Sequence, residues 1–308
     1  MDVSSPTLSR IFSRCQGAYS EKTLSGYSSD LRQFQRWCAR HRAAWAPASP
    51  ETLAAFIDNQ SDRFGAATVK RRVEAIKFAH RMLDLPSPAD HSAPRLALRR
   101  TVRKNPSRPS QALGLTSEML QSILLACPLS LIGIRDAALI TTGYDTLCRS
   151  SELAAMRVGH LSHDFWSILV PRSKADISGK GRIAYLSPGT RTRLRQWLEV
   201  SQLEEGPLFQ GLHTGKLQGR SLDPSSIRRI VKRAAQRAKL EPEHVQALSG
   251  HSMRIGAAQD MMLAGIDQIA IMQAGGWRSV NVLARYVENA AARRIHEQRW
   301  ERLSLLGG

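Results

Sequence analysis

Apolar residues recur at helical spacing through the first third of the chain. In "SEKTLSGYSSDLRQFQRWCARHR", Leu24, Tyr27, Leu31, Phe34 and Cys38 fall on one stripe, the three-to-four-residue recurrence of a helix with one buried face. "SPETLAAFIDNQSDR" opens with Ser49 as a cap and Pro50 suited to the first turn. "AATVKRRVEAIKFAHRML" sets Val69, Val73, Ile76 and Leu83 on one face, which predicts that Lys70, Arg71, Arg72 and Lys77 lie away from it. Residues 20 to about 103 therefore read as helices joined by short turns.

The pattern stops at "RKNPSRPSQA", residues 103–112, which carries Pro106 and Pro109, several basic residues and no apolar period. Such a stretch reads as a linker. It divides the chain into a helical N-terminal domain (1–104), a basic linker (105–113) and a C-terminal domain (114–308). In the latter, "LTSEMLQSILLACP" and "IRDAALITTGYDTL" read as helices, and "RSSELAAMRVGHL" as a short helix leading into a strand. "FWSILVP" and "RIAYLS" are β-rich runs that flank "RSKADISGKG", a hairpin with a basic, glycine-containing tip. "GTRTRLRQWLEV" and "LDPSSIRRIVKRAAQRAKL" return to helix, the second with Asp223 as cap and Pro224 in its first turn. Residues 250–306 read as helical, broken at Gly265 and Gly275–Gly276. The fold class is thus mainly α with a small antiparallel β-sheet, a helical N-terminal domain followed by an α+β C-terminal domain.

Charge narrows the partners. Lys and Arg number 44 against 26 Asp and Glu in 308 residues, a net +18. An excess of that size points to a polyanion, with nucleic acid foremost. Cys15, Cys38, Cys127 and Cys148 form no C-x-x-C pair and no His cluster completes a zinc set, so they read as free thiols and no metal is expected. No run is long and apolar enough to span a membrane, and "MDVSSPTLSR" lacks a signal-peptide core. A cytoplasmic protein, nucleoid-associated if bacterial, is expected. No G-x-x-x-x-G-K-[ST] segment marks an ATPase.

Which residues could handle a phosphodiester? Its cleavage by a nucleophile builds charge on two non-bridging oxygens, which fixed donors must hold. The planar arginine fork matches such oxygens. A side-chain hydroxyl can attack and form a covalent intermediate. The C-terminal half offers Arg149 in "RSSEL", Lys174 in "RSKAD", His251 and Arg254 in "GHSMRIG", Trp277 in "AGGW" and Tyr286 in "ARYVEN". His251 and Arg254 are three apart, so they neighbour each other on a helix. Taken singly, each has an ordinary alternative as a surface charge, a packing anchor or a half-buried tyrosine.

The order of these residues strongly resembles the tyrosine recombinase (phage integrase) family. "LSGHSMRIGAAQDM", "IMQAGGWRSVNVLARYVEN" and "YDTLCRSSELAAMRV" carry the resemblance, and "DLPSPADHSAPRLALRRTVRK" extends it more weakly into the N-terminal half. It implies a site-specific DNA recombinase that works through a 3′-phosphotyrosine. Tyr286 would attack the scissile phosphate. Arg149, Arg254, His251 and the Trp277 indole N–H would hold its oxygens, Lys174 would protonate the leaving 5′ oxygen, and Glu152 would orient the basic residues. Lys180 competes with Lys174 for its role. Many relatives have a second histidine where this chain has Trp277, which can donate a hydrogen bond but cannot act as acid or base. Neither ATP nor metal nor other cofactor is implied.

The resemblance also implies that both domains grip duplex DNA. Lys70, Arg71, Arg72 and Lys77 would contact it from the first. Arg228, Lys232 and their basic neighbours Arg229, Arg233 and Arg237 would do so from the second, with Ser225 or Arg220 as base readers. Four protomers would assemble on two duplexes, the tail 292–308 docking in a neighbouring protomer. Alternatives are a type IB topoisomerase-like enzyme that relaxes DNA, and a catalytically inactive DNA-binding regulator. An RNA-binding protein would lack its usual signatures here. Gly250 and Gly256 are expected to let the helix start and the backbone approach closely.

Overall fold

The structure, a computed structural model, describes residues 6–104, 111–171, 181–287 and 300. The chain divides into two compact units, Met1–Ser110 and Gln111–Gly308.

The first unit is helical: α1 (Pro6–Arg14), α2 (Glu21–Arg40), α3 (Pro50–Ser61), α4 (Ala66–Met82) and α5 (Ser92–Lys104). Capping follows the sequence. Ser20 accepts from the Thr23 N–H, and Ser49 accepts from the Thr52 N–H, each satisfying an otherwise orphaned amide. Leu31, Phe34, Leu53, Phe56, Val69 and Ile76 form the core. His80 is fully buried there. Its Nε2 accepts from the Ala48 N–H at 3.0 Å, so its Nδ1 donates to the Ile76 carbonyl at 2.9 Å, which fixes a neutral ring.

Arg72 corrects the expectation that it lies on the basic back of α4. It is 3% exposed. Position 72 sits between Val69 and Ile76 on the same stripe, so the helix carries it inward. Its guanidinium packs 4.0 Å from the Phe64 ring centroid, bonds Gln60 and lies 3.7 Å from Asp30. Arg71 is exposed but forms a two-pronged pair with Asp30 at 2.8 and 2.9 Å. Lys70 is exposed, and half-buried Lys77 lies 3.4 Å from Glu74.

The second unit contains α6 (Ser117–Leu125), α7 (Leu131–Asp145), α8 (Ser150–Ala154), β1 (Ser167–Val170), β2 (Arg182–Tyr185), α9 (Pro188–Ser201), β3 (Gln210–His213), β4 (Lys216–Ser221), α10 (Pro224–Arg237), α11 (Pro242–Ala247), α12 (Ser252–Leu263) and α13 (Gln268–Gly275). A further helix, α14, covers 280–287. The β1–β2 hairpin is antiparallel, with Val170 opposite Arg182 and Ile168 opposite Ala184. Its tip, 172–180, lies outside the described residues, and Lys174 and Lys180 with it; so do 105–110 of the linker and all of the tail 292–308 except Trp300. A second antiparallel hairpin, β3–β4, was not anticipated. Thr214 and Gly215 form its tight turn with φ of 48° and 77°, the paired left-handed conformation that suits two-residue hairpin loops.

The main core gathers around Trp197, Phe209, Leu153 and Ile230. Buried Asp136 ties α7 to α10: it takes Arg135 Nε at 3.1 Å and Arg237 Nη2 at 3.2 Å. Arg237 is therefore engaged within the unit. A second cluster, with Leu147, Ala257, Ile271, Trp277 and Leu283, joins α12, α13 and α14. Among the described residues, no helix is long and apolar enough to cross a membrane.

Candidate active site

The site begins at the N-terminus of α8. Arg149 is its N-cap. Buried Glu152, in the first turn, folds back to accept the Arg149 N–H at 2.8 Å and the Arg149 Nη1 at 2.7 Å. An arginine side chain cannot accept, so only this return half of a capping box forms. The carboxylate thus fixes both backbone and guanidinium of Arg149.

A glycine brings the next element in. The Ser150 Oγ donates to the Gly250 carbonyl at 3.0 Å, and a Cβ on Gly250 would lie only 2.3 Å from that oxygen. The start of α8 therefore lies directly against the turn that opens α12. His251 is the N-cap there. His251 is exposed, yet desolvation by its surroundings, then the nearby Arg254 and Arg149 charges, hold its pKa below the usual histidine value.

Arg254, in the first turn of α12, is 1% exposed. Its Nη1 donates to the carbonyls of Leu147 and Gly275, the latter at 2.8 Å. Its guanidinium stacks 3.9 Å from the Trp277 ring centroid. Its Nη2 is buried and has no hydrogen-bond partner among the described residues. Burial, with Arg149 close by, lowers its pKa to about 10, so it stays charged near neutrality. Gly256 lets α12 approach: a Cβ there would sit 1.8 Å from the Leu115 carbonyl oxygen.

Glycines place the tryptophan as well. Gly276 ends α13 in the left-handed region at φ 67°, and the Trp277 N–H reaches back to Met272 at 2.9 Å, a Schellman-type closure. A Cβ on Gly275 would strike the indole at 2.0 Å. Trp277 packs on Tyr286, ring centroids 5.6 Å apart at 48°. Half-buried Tyr286 lies on α14, and its carbonyl accepts from Gln259 Nε2 of α12 at 2.9 Å.

Arg149, Glu152, His251, Arg254, Trp277 and Tyr286 are thus brought together. Arg149, Glu152 and Trp277 line a cavity of about 310 Å³. Arg182, which the sequence reading missed, lines it too. Of the second unit's other expected DNA contacts, Arg228 starts beside this cluster: its backbone N lies 3.9 Å from where a Cβ on Gly250 would sit. Ser225 is exposed in the first turn of α10, and its N–H bonds the Asp223 cap at 2.7 Å. Arg228 is exposed, Lys232 Nζ donates to the Gln246 carbonyl at 2.7 Å, and Arg220 is exposed on β4.

Comparison with known proteins identifies the family. The phage integrase family model matches residues 114–293, and the model of the phage integrase N-terminal SAM-like domain matches 14–83. The recombinase Cre of Escherichia phage P1 is 30% identical over 298 residues, covering 90% of this chain and 86% of Cre. The structure of the XerH site-specific recombinase bound to palindromic difH substrate is similar at TM-score 0.68 and 18% identity, covering 96% of this chain and 84% of that one. A lambda integrase tetramer bound to a Holliday junction is similar at TM-score 0.62 and 16% identity, covering 91% and 76%. Sequence, fold and the converging side chains lead to one assignment: the chain belongs to the phage integrase family and is a tyrosine recombinase.

Proposed function

We propose that this recombinase cuts and rejoins duplex DNA at a specific site through a 3′-phosphotyrosine. The observation that carries the reading is the buried Arg254, whose Nη2 has no hydrogen-bond partner among the described residues, beside Arg149, His251, Trp277 and Tyr286. A fixed, buried guanidinium donor suits the oxygens of a phosphodiester in its transition state. The Tyr286 Oη–P bond forms as the P–O5′ bond breaks. The phenol loses its proton and the 5′ oxygen gains one, which Lys174 supplies. Arg149, Arg254, a neutral His251 and the Trp277 N–H hold the non-bridging oxygens, and Glu152 orients Arg149. The ester keeps the energy of the broken bond, so reversal needs no ATP, and the arginines supply the charge a metal gives elsewhere.

Both units, 1–104 and 114–308, grip the duplex, joined by 105–113. Lys70, Arg71 and Lys77 contact it from one, Arg228 and Lys232 from the other, with Ser225 or Arg220 reading bases. Arg72 is withdrawn from this set because it is buried. Four protomers act on two duplexes, each tail docking in its neighbour. That XerH is bound to its DNA substrate and that lambda integrase forms a tetramer on a Holliday junction support the grip on DNA and the assembly of four protomers.

The test is a covalent protein–DNA adduct on a denaturing gel. A binding site is selected from a random duplex pool with the full chain, and wild type is compared with Tyr286→Phe. Adduct from wild type alone is expected. No adduct on a verified site overturns the mechanism, and an adduct from Tyr286→Phe overturns the nucleophile. Deleting 292–308 should leave single-site binding intact and abolish assembly on gel shift; full recombination by the truncated chain would refute docking.

A further inference from the structure

We infer that Arg182 is a further phosphate-contacting arginine of the site, outside the set that carries the family resemblance. The inference rests on the reading that this site holds the scissile phosphate.

Arg182 opens β2 on its inward face. It shares that face with buried Ala184 and stands opposite buried Val170, while Ile183 and Tyr185 point to solvent. Its Nη2 donates to the Thr146 carbonyl, and Arg254 donates to the carbonyl of the next residue, Leu147. Two guanidinium groups therefore hang from consecutive peptide units of the turn after α7. Its Cδ and Nε lie 3.3 Å from where a Cβ on Gly276 would sit, so the side chain runs along the backbone just before Trp277. It lines the cavity that Arg149, Glu152 and Trp277 also line.

The second observation is an unmet donor. Arg182 Nη1 is buried with no partner among the described residues, as is Arg254 Nη2. Buried donors are nearly always paired, so each such exception calls for a reason. Here two exceptions occur in neighbouring guanidiniums at one site. The nearby carboxylate, Glu152, is already bonded to Arg149. Three arginines against one carboxylate leave excess positive charge, and a phosphodiester offers two non-bridging oxygens and a negative charge. Anchoring the Thr146 carbonyl alone would use one arm of the fork and would not account for the buried Nη1.

The test uses the full chain on the selected site, with the scissile phosphate mapped from the wild-type adduct. Arg182→Gln should still bind the selected site and, at saturating protein, form adduct about 100-fold more slowly, the loss typical of one transition-state donor. Arg182→Lys should recover part of the rate. The same variants are then run on duplex bearing a methylphosphonate at the scissile position, where one charged oxygen is replaced by methyl. The deficit of Arg182→Gln relative to wild type should shrink to about tenfold or less, because less charge remains to be neutralised. Equal rates for wild type and Arg182→Gln on ordinary DNA overturn the inference. So does an unchanged deficit on the neutral linkage, which marks a structural role. Failure of wild type to form any adduct instead removes the proposed mechanism, and this inference falls with it.

Discussion

Lys70 and Arg72 are two positions apart on α4, and only Lys70 faces water. Arg72 holds Gln60 and Asp30 inside the first unit. Arg72→Ala should lower unfolding stability by about 3 kcal/mol, the scale for removing one partner of a buried ionic contact. Lys70→Ala should stay within about 0.5 kcal/mol of wild type and reduce the salt slope of DNA binding by about 1. Denaturant unfolding and salt titration separate the two. His80 on the same helix has its pKa lowered by burial, against the hydrogen bond to Ile76. The unfolded chain then binds the extra proton first. Stability is complete at neutral pH and declines as pH falls through about 6.5, by at most about 1.4 kcal/mol per pH unit. His80→Gln should flatten unfolding free energy between pH 7 and pH 5; an unchanged slope would exonerate this ring.

At the scale of elements, the helices were legible because period and punctuation agreed. Ser49 and Asp223 both cap where the Ser-Pro and Asp-Pro start signals predicted. The β3–β4 hairpin escaped notice because its strands are short and β4 is mostly exposed, leaving no alternation to read. Arg182 escaped for a related reason: "RIAY" puts Ile183 and Tyr185 outside, the reverse of a hydropathy-guided strand. Its partner carbonyl is at Thr146, a distant pairing that no local pattern encodes. The order from Arg149 to Tyr286 was legible as a motif; the clearance Gly275 gives the Trp277 ring was not, whereas the work of Gly250 and Gly256 in letting the backbone approach was expected and is seen. Gly256→Ala tests that work. With the Leu115 carbonyl in the way, α12 must shift, carrying Arg254. Adduct formation should fall at least tenfold with a lower melting temperature. Retention of both would mean that the approach tolerates a methyl group.

Over the whole molecule, the net charge of +18 makes ionic strength the main control on affinity. If 6–10 phosphates are neutralised, as is common for DNA-binding proteins, affinity should fall by about 10³ to 10⁵ between 50 and 200 mM salt. A flat response in gel shift would mean that the positive surface is not the DNA-binding face. The same excess is concentrated where Arg149, Arg182 and Arg254 surround one glutamate. Burial first, then Arg149 and, least, Arg182 weaken the hold of Arg254 on its proton, and the arginine contributions are repulsive. That repulsion is an internal load on the second unit, and a bound anion removes it. Substrate should therefore act as a conformational stabiliser: at a hundredfold excess over its dissociation constant, a ligand adds about 2.7 kcal/mol. If this site takes the scissile phosphate as proposed, the arginine cluster should link tightening of the fold to occupation by DNA, and the side chains of the site should be most firmly held when a strand is bound.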